Sequence, residues 1–419
     1  MTIMLAEKLF IAFAATSLGL AASLGSATEP PVGPGDDRRG YDEVDYETRS
    51  RRVDSPRPQE SVDERGDSAA RLGLPPLERD TGQPRLAERI ALGRLLFFDR
   101  RLSGNGTMSC AMCHVPEHGF AHNEMRVAIG IEGRSGRRNA PTLMNAAYQP
   151  RLFYDGREFS LETQVWSPLL AANEMGNASV GMVIETISAL SDYDGLFEAA
   201  FDRGPSMETV GSALASYQRT LLSGDSPFDR WLYGGEDSAM SPAAQRGFGL
   251  FTGKARCSAC HVIGRDWALF TDHGYHNTGV GAELAASRKR GTAHIPVAPG
   301  ERLEVSTQGL RHLGGVAEVD LGRYEVTRNP DDRGRFRTAM LRNVALTAPY
   351  MHDGSLATLE DVIRFYDAGG IPNETLDPLM RPLGLTGSEQ TELVEFLEAL
   401  TGGNVAALAA RARATPIGN

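Results

Sequence analysis

Cysteine is scarce in this 419-residue chain: there are four, too few for a disulfide scaffold. Positive charge is in deficit, with 43 Lys and Arg against 54 Asp and Glu. A formal charge of -11 argues against a protein that binds nucleic acid by neutralising phosphates. An acidic surface would suit a basic protein partner, although solubility alone explains it. Long apolar runs are absent beyond the first residues, and alternating strand-like patterns are few. With 41% apolar and 23% charged residues, the rest has ordinary globular composition, long enough for two to three domains.

The apolar run Leu9 to Leu24 follows Lys8 and precedes the small residues Gly25-Ser26-Ala27, the pattern of a signal peptide over 1–27. The run falls short of the roughly 20 residues a span requires, so no membrane span is expected once it is removed. The body is expected outside the cytoplasm, in the periplasm. Residues 28–85 are rich in Asp, Glu, Arg, Pro and Gly, contain no Lys, and read as a disordered tether.

Helical periodicity begins at Leu86, where Leu86, Ile90, Gly93 and Phe97 share a face up to Asp99. Val210, Ala213, Leu214, Tyr217 and Leu221 form a second such face, and Ser241-Pro242 opens another helix. The break at Gly234-Gly235 divides an N-terminal domain, 86–236, from a C-terminal domain, 237–402, with 403–419 as a tail. Gly93 to Phe97 before one cysteine pair echoes Gly247 to Phe251 before the other, which fits a duplicated unit. Arg265 to Arg337 reads as a long loop region. The expected fold is mostly α, with long loops and little strand, and a C-x-x-C-H motif in each half, Cys110 to His114 and Cys257 to His261, marks two c-type cytochrome-like haem domains.

All four cysteines lie in Cys110-Ala111-Met112-Cys113-His114 and Cys257-Ser258-Ala259-Cys260-His261. This spacing suits two covalently bound c-type haems, with thioethers from each cysteine pair and His114 and His261 as proximal iron ligands. A four-thiolate zinc site and redox dithiols are the alternatives, but neither requires both histidines.

Leu102-Ser103-Gly104-Asn105-Gly106, Arg138-Asn139-Ala140-Pro141-Thr142, Tyr154-Asp155-Gly156-Arg157, Asn173-Glu174-Met175-Gly176, Ser226-Pro227-Phe228-Asp229, Leu341-Arg342-Asn343 and Pro349-Tyr350-Met351-His352-Asp353-Gly354 follow in order. Together with the haem motifs, from about Leu86 to Leu400, the chain resembles the bacterial di-haem cytochrome c peroxidase and MauG family.

The resemblance implies that the first haem binds hydrogen peroxide and the second shares charge or transfers electrons. It implies Glu174 as the distal acid/base, with Gln164 ten residues earlier. A carboxylate there can move a proton between the peroxide oxygens. The loop Ala128 to Glu132, where reductively activated members carry a blocking histidine, has none. His118 and His122 are nearer rivals, and an open first haem is expected. Tyr366, fourteen residues after His352, falls where family peroxidases have methionine and MauG has tyrosine. Thr358 and Asp361 form a capping box that starts a helix whose Val362, Ile363 and Tyr366 share a face. Met340 and Met351 are the alternative ligands, and an ordinary core tyrosine is the alternative role for Tyr366. A phenolate ligand would make a high-valent second haem accessible. Tyr154 stands where the family has an inter-haem tryptophan, either as relay or as packing. Asn139, Thr347 and Pro349 match a calcium position, the alternative being a buried polar turn without an ion.

The implied function is a MauG-like, peroxide-dependent di-haem oxidoreductase acting on a protein partner. The alternatives are a cytochrome c peroxidase fed by a small cytochrome or cupredoxin, and a non-catalytic di-haem electron carrier.

Overall fold

The computed structural model describes residues 71–77, 84–123, 125–282, 292–298, 301–306 and 319–415. The expected signal peptide and most of the expected tether lie outside the described residues. Among those described, seven helices have nine or more residues: α1 (Leu86–Phe98), α2 (Val180–Ala189), α3 (Met207–Arg219), α4 (Pro242–Thr252), α5 (Leu359–Asp367), α6 (Gly387–Glu398) and α7 (Val405–Arg413). Among the described residues, strand is confined to two antiparallel pairs: β1 (Tyr275–His276) with β4 (Phe336–Arg337), and β2 (Thr292–Ala298) with β3 (Glu301–Ser306). The second pair is a hairpin inside the stretch read as loop, with Thr292 opposite Ser306 and the register shifting at Pro296.

Local chemistry explains the helix starts. Ser206 and Thr209, Thr358 and Asp361, and Thr386 and Glu389 form reciprocal capping boxes at α3, α5 and α6. Ser241 caps α4 with Pro242 at its first position.

Two apolar clusters form the cores. One joins α1 and α3 through Leu92, Leu96, Phe97, Val210, Leu214 and Tyr217. The other joins α4, α5 and α6 through Phe251, Ile363, Leu393 and Phe396. In each, a glycine lets two helices meet backbone to backbone. A Cβ on Gly93 would lie 1.8 Å from the Ala213 carbonyl oxygen, and one on Gly247 would lie 1.9 Å from that of Glu392. The segment read as a tail contributes α7, whose Leu408 and Ala412 enter the first core.

The similarity of the halves is deeper than the Gly-to-Phe echo. Positions 198 apart adopt matching local structure. Asn145 and Asn343 are both left-handed, each before a 3₁₀ turn. Phe153 and Met351 are both left-handed, as are Gly156 and Gly354. Bridges join Leu152 to Glu158 and Tyr350 to Leu356, and Ser160 and Thr358 cap the helices that follow.

Residues 71–77 are packed against this body. Leu74 is buried with Leu222, Leu269 and Met340. The Gly73 carbonyl accepts from Arg342 Nη2 at 2.5 Å, while Arg342 also grips Asp229 through 2.7 and 2.8 Å bonds. Both side chains of that ion pair are essentially fully buried. Removing one partner would leave an uncompensated charge, so Arg342→Met is expected to lower unfolding free energy by about 3–5 kcal/mol in a urea titration.

Candidate functional site

The two C-x-x-C-H motifs occupy separate cavities. One, of about 360 Å³, is lined by Cys113, His114, Gln164, Glu174 and Tyr154. The other, of about 330 Å³, is lined by Cys257, Cys260, His261, Tyr366 and again Tyr154. Cys110 packs at the edge of the first core. Neither pair forms a disulfide. Burial pushes the Cys110 thiol up to about 12 and that of Cys113 up to about 11, the opposite of an activated redox dithiol. The four cysteines are not gathered into one zinc site. Among the described residues, the one group of three or more Cys, His, Asp or Glu close enough for a shared ion is Cys260, Asp272 and His276.

Each motif histidine is oriented the same way. His114 Nδ1 donates to the Phe120 carbonyl at 3.1 Å, and His261 Nδ1 donates to the Phe270 carbonyl at 2.8 Å. Both phenylalanines are fully buried and left-handed, with φ of 54° and 55°. Such a backbone persists only when packing over-determines it. Because a carbonyl can only accept, Nδ1 carries the proton and Nε2 keeps its lone pair for a metal. Burial pushes His114 down to about 4 and lowers His261, so both rings are neutral near pH 7. A cysteine pair, a neutral imidazole with Nε2 free and an adjoining cavity fit a covalently held haem in each half.

Glu174 sits in a turn clamped by neighbouring segments. Gly104 N–H donates to the Met175 carbonyl and Ile131 N–H donates to that of Glu174. A Cβ on Gly130 would lie 2.5 Å from the Glu174 carbonyl oxygen, and one on left-handed Gly176 would strike Ile131. The histidine-free loop therefore rests directly on the turn that carries the carboxylate. Glu174 is exposed at the cavity mouth, yet surrounding chain strips enough water from its carboxyl to raise its pKa, with Arg157 opposing. Gln164 ends the short helix capped by Ser160 and faces the same cavity. His122 is buried and close enough to His114 to depress its pKa, whereas His118 is half-buried.

Tyr366 reaches the second cavity from α5. Its hydroxyl makes no hydrogen bond among the described residues, unlike that of a core tyrosine packed around a bonded hydroxyl. Burial and the nearby Cys257 and Cys260 thiols push its pKa up. Met340 and Met351 line this cavity too, as does Met380, which sequence reasoning missed. Asn139, Thr347 and Pro349 also line it. Asn139 Nδ2 donates to the Arg126 carbonyl, leaving its oxygen for another partner.

Between the cavities the two halves meet in a repeated pattern. Asn139 N–H donates to the His352 carbonyl and Arg337 N–H donates to the Tyr154 carbonyl, both at 2.8 Å. Tyr154 lies edge-on to His352, with ring centres 6.5 Å apart, and His352 stacks on Phe336 at 3.5 Å. Arg138 caps Phe336 while bonding Asp320 and Asp155. Burial pushes the Tyr154 phenol up to about 12. Arg337 and His352 were missed as site residues. Their signal was the 198-residue spacing, which pairs Arg337 with Asn139 and His352 with Tyr154.

Comparison with known proteins agrees with this arrangement. A family profile described as di-haem cytochrome c peroxidase matches residues 87–237. Cytochrome-c peroxidase IdrP1 of Denitromonas iodatirespirans is 37% identical over 339 residues, covering 78% of this chain and 85% of that protein. Methylamine utilization protein MauG of Methylorubrum extorquens is 38% identical over 322 residues, covering 76% and 79%. A crystal structure described as a MauG-like protein associated with microbial copper homeostasis superposes with a TM-score of 0.63 at 32% identity, covering 80% of this chain and 95% of that one.

Proposed function

The chain belongs to the di-haem cytochrome c peroxidase family, and from that premise we propose that it is an exported, peroxide-dependent oxidoreductase of the MauG-like kind, oxidising a protein partner. Membership makes it a di-haem oxidoreductase rather than a passive electron carrier. Two haems are implied by the family, and the donor sets in both cavities fit them.

When bound, the haems supply the redox chemistry, the first taking up hydrogen peroxide and the second holding one of its two oxidising equivalents. The protein's part is positional. His114 and His261 present Nε2, each held by the Phe carbonyl behind it. The Glu174 carboxylate would move a proton from one peroxide oxygen to the other, so that the O–O bond could break with release of water on two electrons that a haem held by His114 would supply. Gln164 holds the peroxide in place with its amide. Tyr154, in both cavity walls, is the residue through which the two sites exchange an electron.

The observation that carries the MauG-like reading is the placement of Tyr366 in the second cavity with His261, its hydroxyl free to bind a metal. In the 198-residue register its counterpart is Pro168, which lines the first cavity and has no donor for iron. That contrast supports an open first site beside a closed second one. A calcium ion held by Asn139, Thr347 and Pro349, a periplasmic location and division into two haem domains complete the proposal.

Stoichiometric hydrogen peroxide added to the fully ferric holoprotein is expected to produce a rapid visible change with a near-infrared band. No reaction until one haem is reduced would favour peroxide removal fed by a small cytochrome or cupredoxin. The relatives named cytochrome-c peroxidases keep that second reading open.

A further inference from the structure

The wall between the cavities contains a buried cation without a counter-ion among the described residues. Arg337 is 7% exposed and lines both cavities. Its Nε donates to the Phe153 carbonyl at 3.3 Å, but its Nη1 is buried and has no hydrogen-bond partner among the described residues. No carboxylate among the described residues pairs with it. The nearby Asp155 is taken by Arg138 and Arg157. The groups that favour the charge of Arg337 are the phenols of Tyr154 and Tyr275 rather than carboxylates. Leaving a guanidinium unpaired out of water costs several kcal/mol, far more than a fold tolerates without a partner. The missing partner must be an anion that arrives from a cavity.

The prosthetic groups that fit these cavities bring such anions, since each haem carries two propionate carboxylates. We propose that Arg337 is the anchoring cation for haem propionate at the wall shared by the two sites, and that its charge holds up the reduction potential of the haem it grips. The planar fork of Arg suits a carboxylate bidentately. Its place is fixed by the β1–β4 pairing, where Arg337 faces Tyr275, and by the bond to Tyr154. The counterpart in the first half, Asn139, is neutral, so the arrangement is not symmetric in charge. A positive charge beside the propionate offsets negative charge near iron and favours the reduced state; its loss favours the ferric state. The inference rests on two bound haems and is independent of which partner is oxidised.

The test compares wild-type holoprotein with Arg337→Met and Arg337→Lys. Pyridine haemochrome gives covalent haem content, resonance Raman the propionate bending modes, and spectroelectrochemistry the two midpoint potentials. Arg337→Met is expected to keep both thioether-linked haems, shift a propionate mode and lower at least one midpoint potential. Arg337→Lys is expected to restore most of the potential but not the mode, because a point charge lacks the fork. Unchanged modes and potentials in Arg337→Met would overturn the proposal, as would a Lys variant whose potentials match those of Met. If Arg337→Met yields no holoprotein, Arg337→Lys decides, and propionate modes identical to wild type overturn the assignment. Fewer than two haems per chain in the wild type would remove the premise, a failure distinct from that of Arg337.

Discussion

Glu174→Gln is expected to slow peroxide turnover by about 10²–10⁴-fold while leaving both haems attached. Glutamine preserves the shape of the side chain and can still donate a hydrogen bond, so the clamped turn between Gly104 and Ile131 has no reason to move. What it cannot do is accept a proton from one peroxide oxygen and return it to the other. The carboxylate must be ionised to start this cycle. Desolvation by the surrounding chain raises its pKa from the usual glutamate value, so wild-type activity should fall on the acid side at a higher pH than a fully solvated glutamate would give. In Glu174→Gln that acid limb should vanish along with most of the rate. A variant with wild-type turnover and an unchanged acid limb would show that the proton is carried elsewhere. Equal attachment of haem in both proteins, measured as pyridine haemochrome, separates lost chemistry from lost assembly.

Tyr366→Met is expected to raise the midpoint potential of the second haem by a substantial part of the roughly 0.8 V that axial ligands span. A thioether donates less charge to iron than a phenolate and stabilises the reduced state. Methionine is flexible enough to reach the same position from α5 without disturbing Ile363, which is buried in the second core. The ferric variant should lose its direct reaction with peroxide and regain it only when the second haem is first reduced. Tyr366→Phe removes the donor altogether and should open that haem to external ligands such as cyanide. If both substitutions leave the potential and the optical spectrum untouched, the ligand is one of the methionines in the cavity wall, Met340, Met351 or Met380.

Much of the helical fold was legible in the chain because its signals are local. The capping box at Thr358 and Asp361 and the Ser241-Pro242 start each lie within a few residues of the backbone groups they satisfy. Periodicity placed the α3 face correctly, since Val210, Ala213, Leu214 and Tyr217 are all buried. The hairpin at 292–306 escaped notice because its strands lie within polar, Gly- and Arg-rich surroundings. The docking of residues 71–77 was hidden for a different reason. Leu74 and Gly73 lie at the end of an acidic stretch, and their partners, Met340 and Arg342, are more than 260 residues away.

The sequence by itself determined the covalent chemistry. A cysteine pair and its histidine fall within five consecutive residues, so any backbone that forms one turn brings them together. It also placed Gln164, Glu174 and Tyr366 at recognisable offsets from motifs. Tertiary structure alone decided what stands between the two sites. Tyr154 meets His352, Asn139 and Arg337 bond across to the opposite half, and a guanidinium with no carboxylate partner among the described residues ends up in both cavity walls. These contacts join residues about 200 positions apart, and no local spacing encodes them. They arise because two similar halves pack with their equivalent turns face to face, and burial then decides which charges remain without a partner.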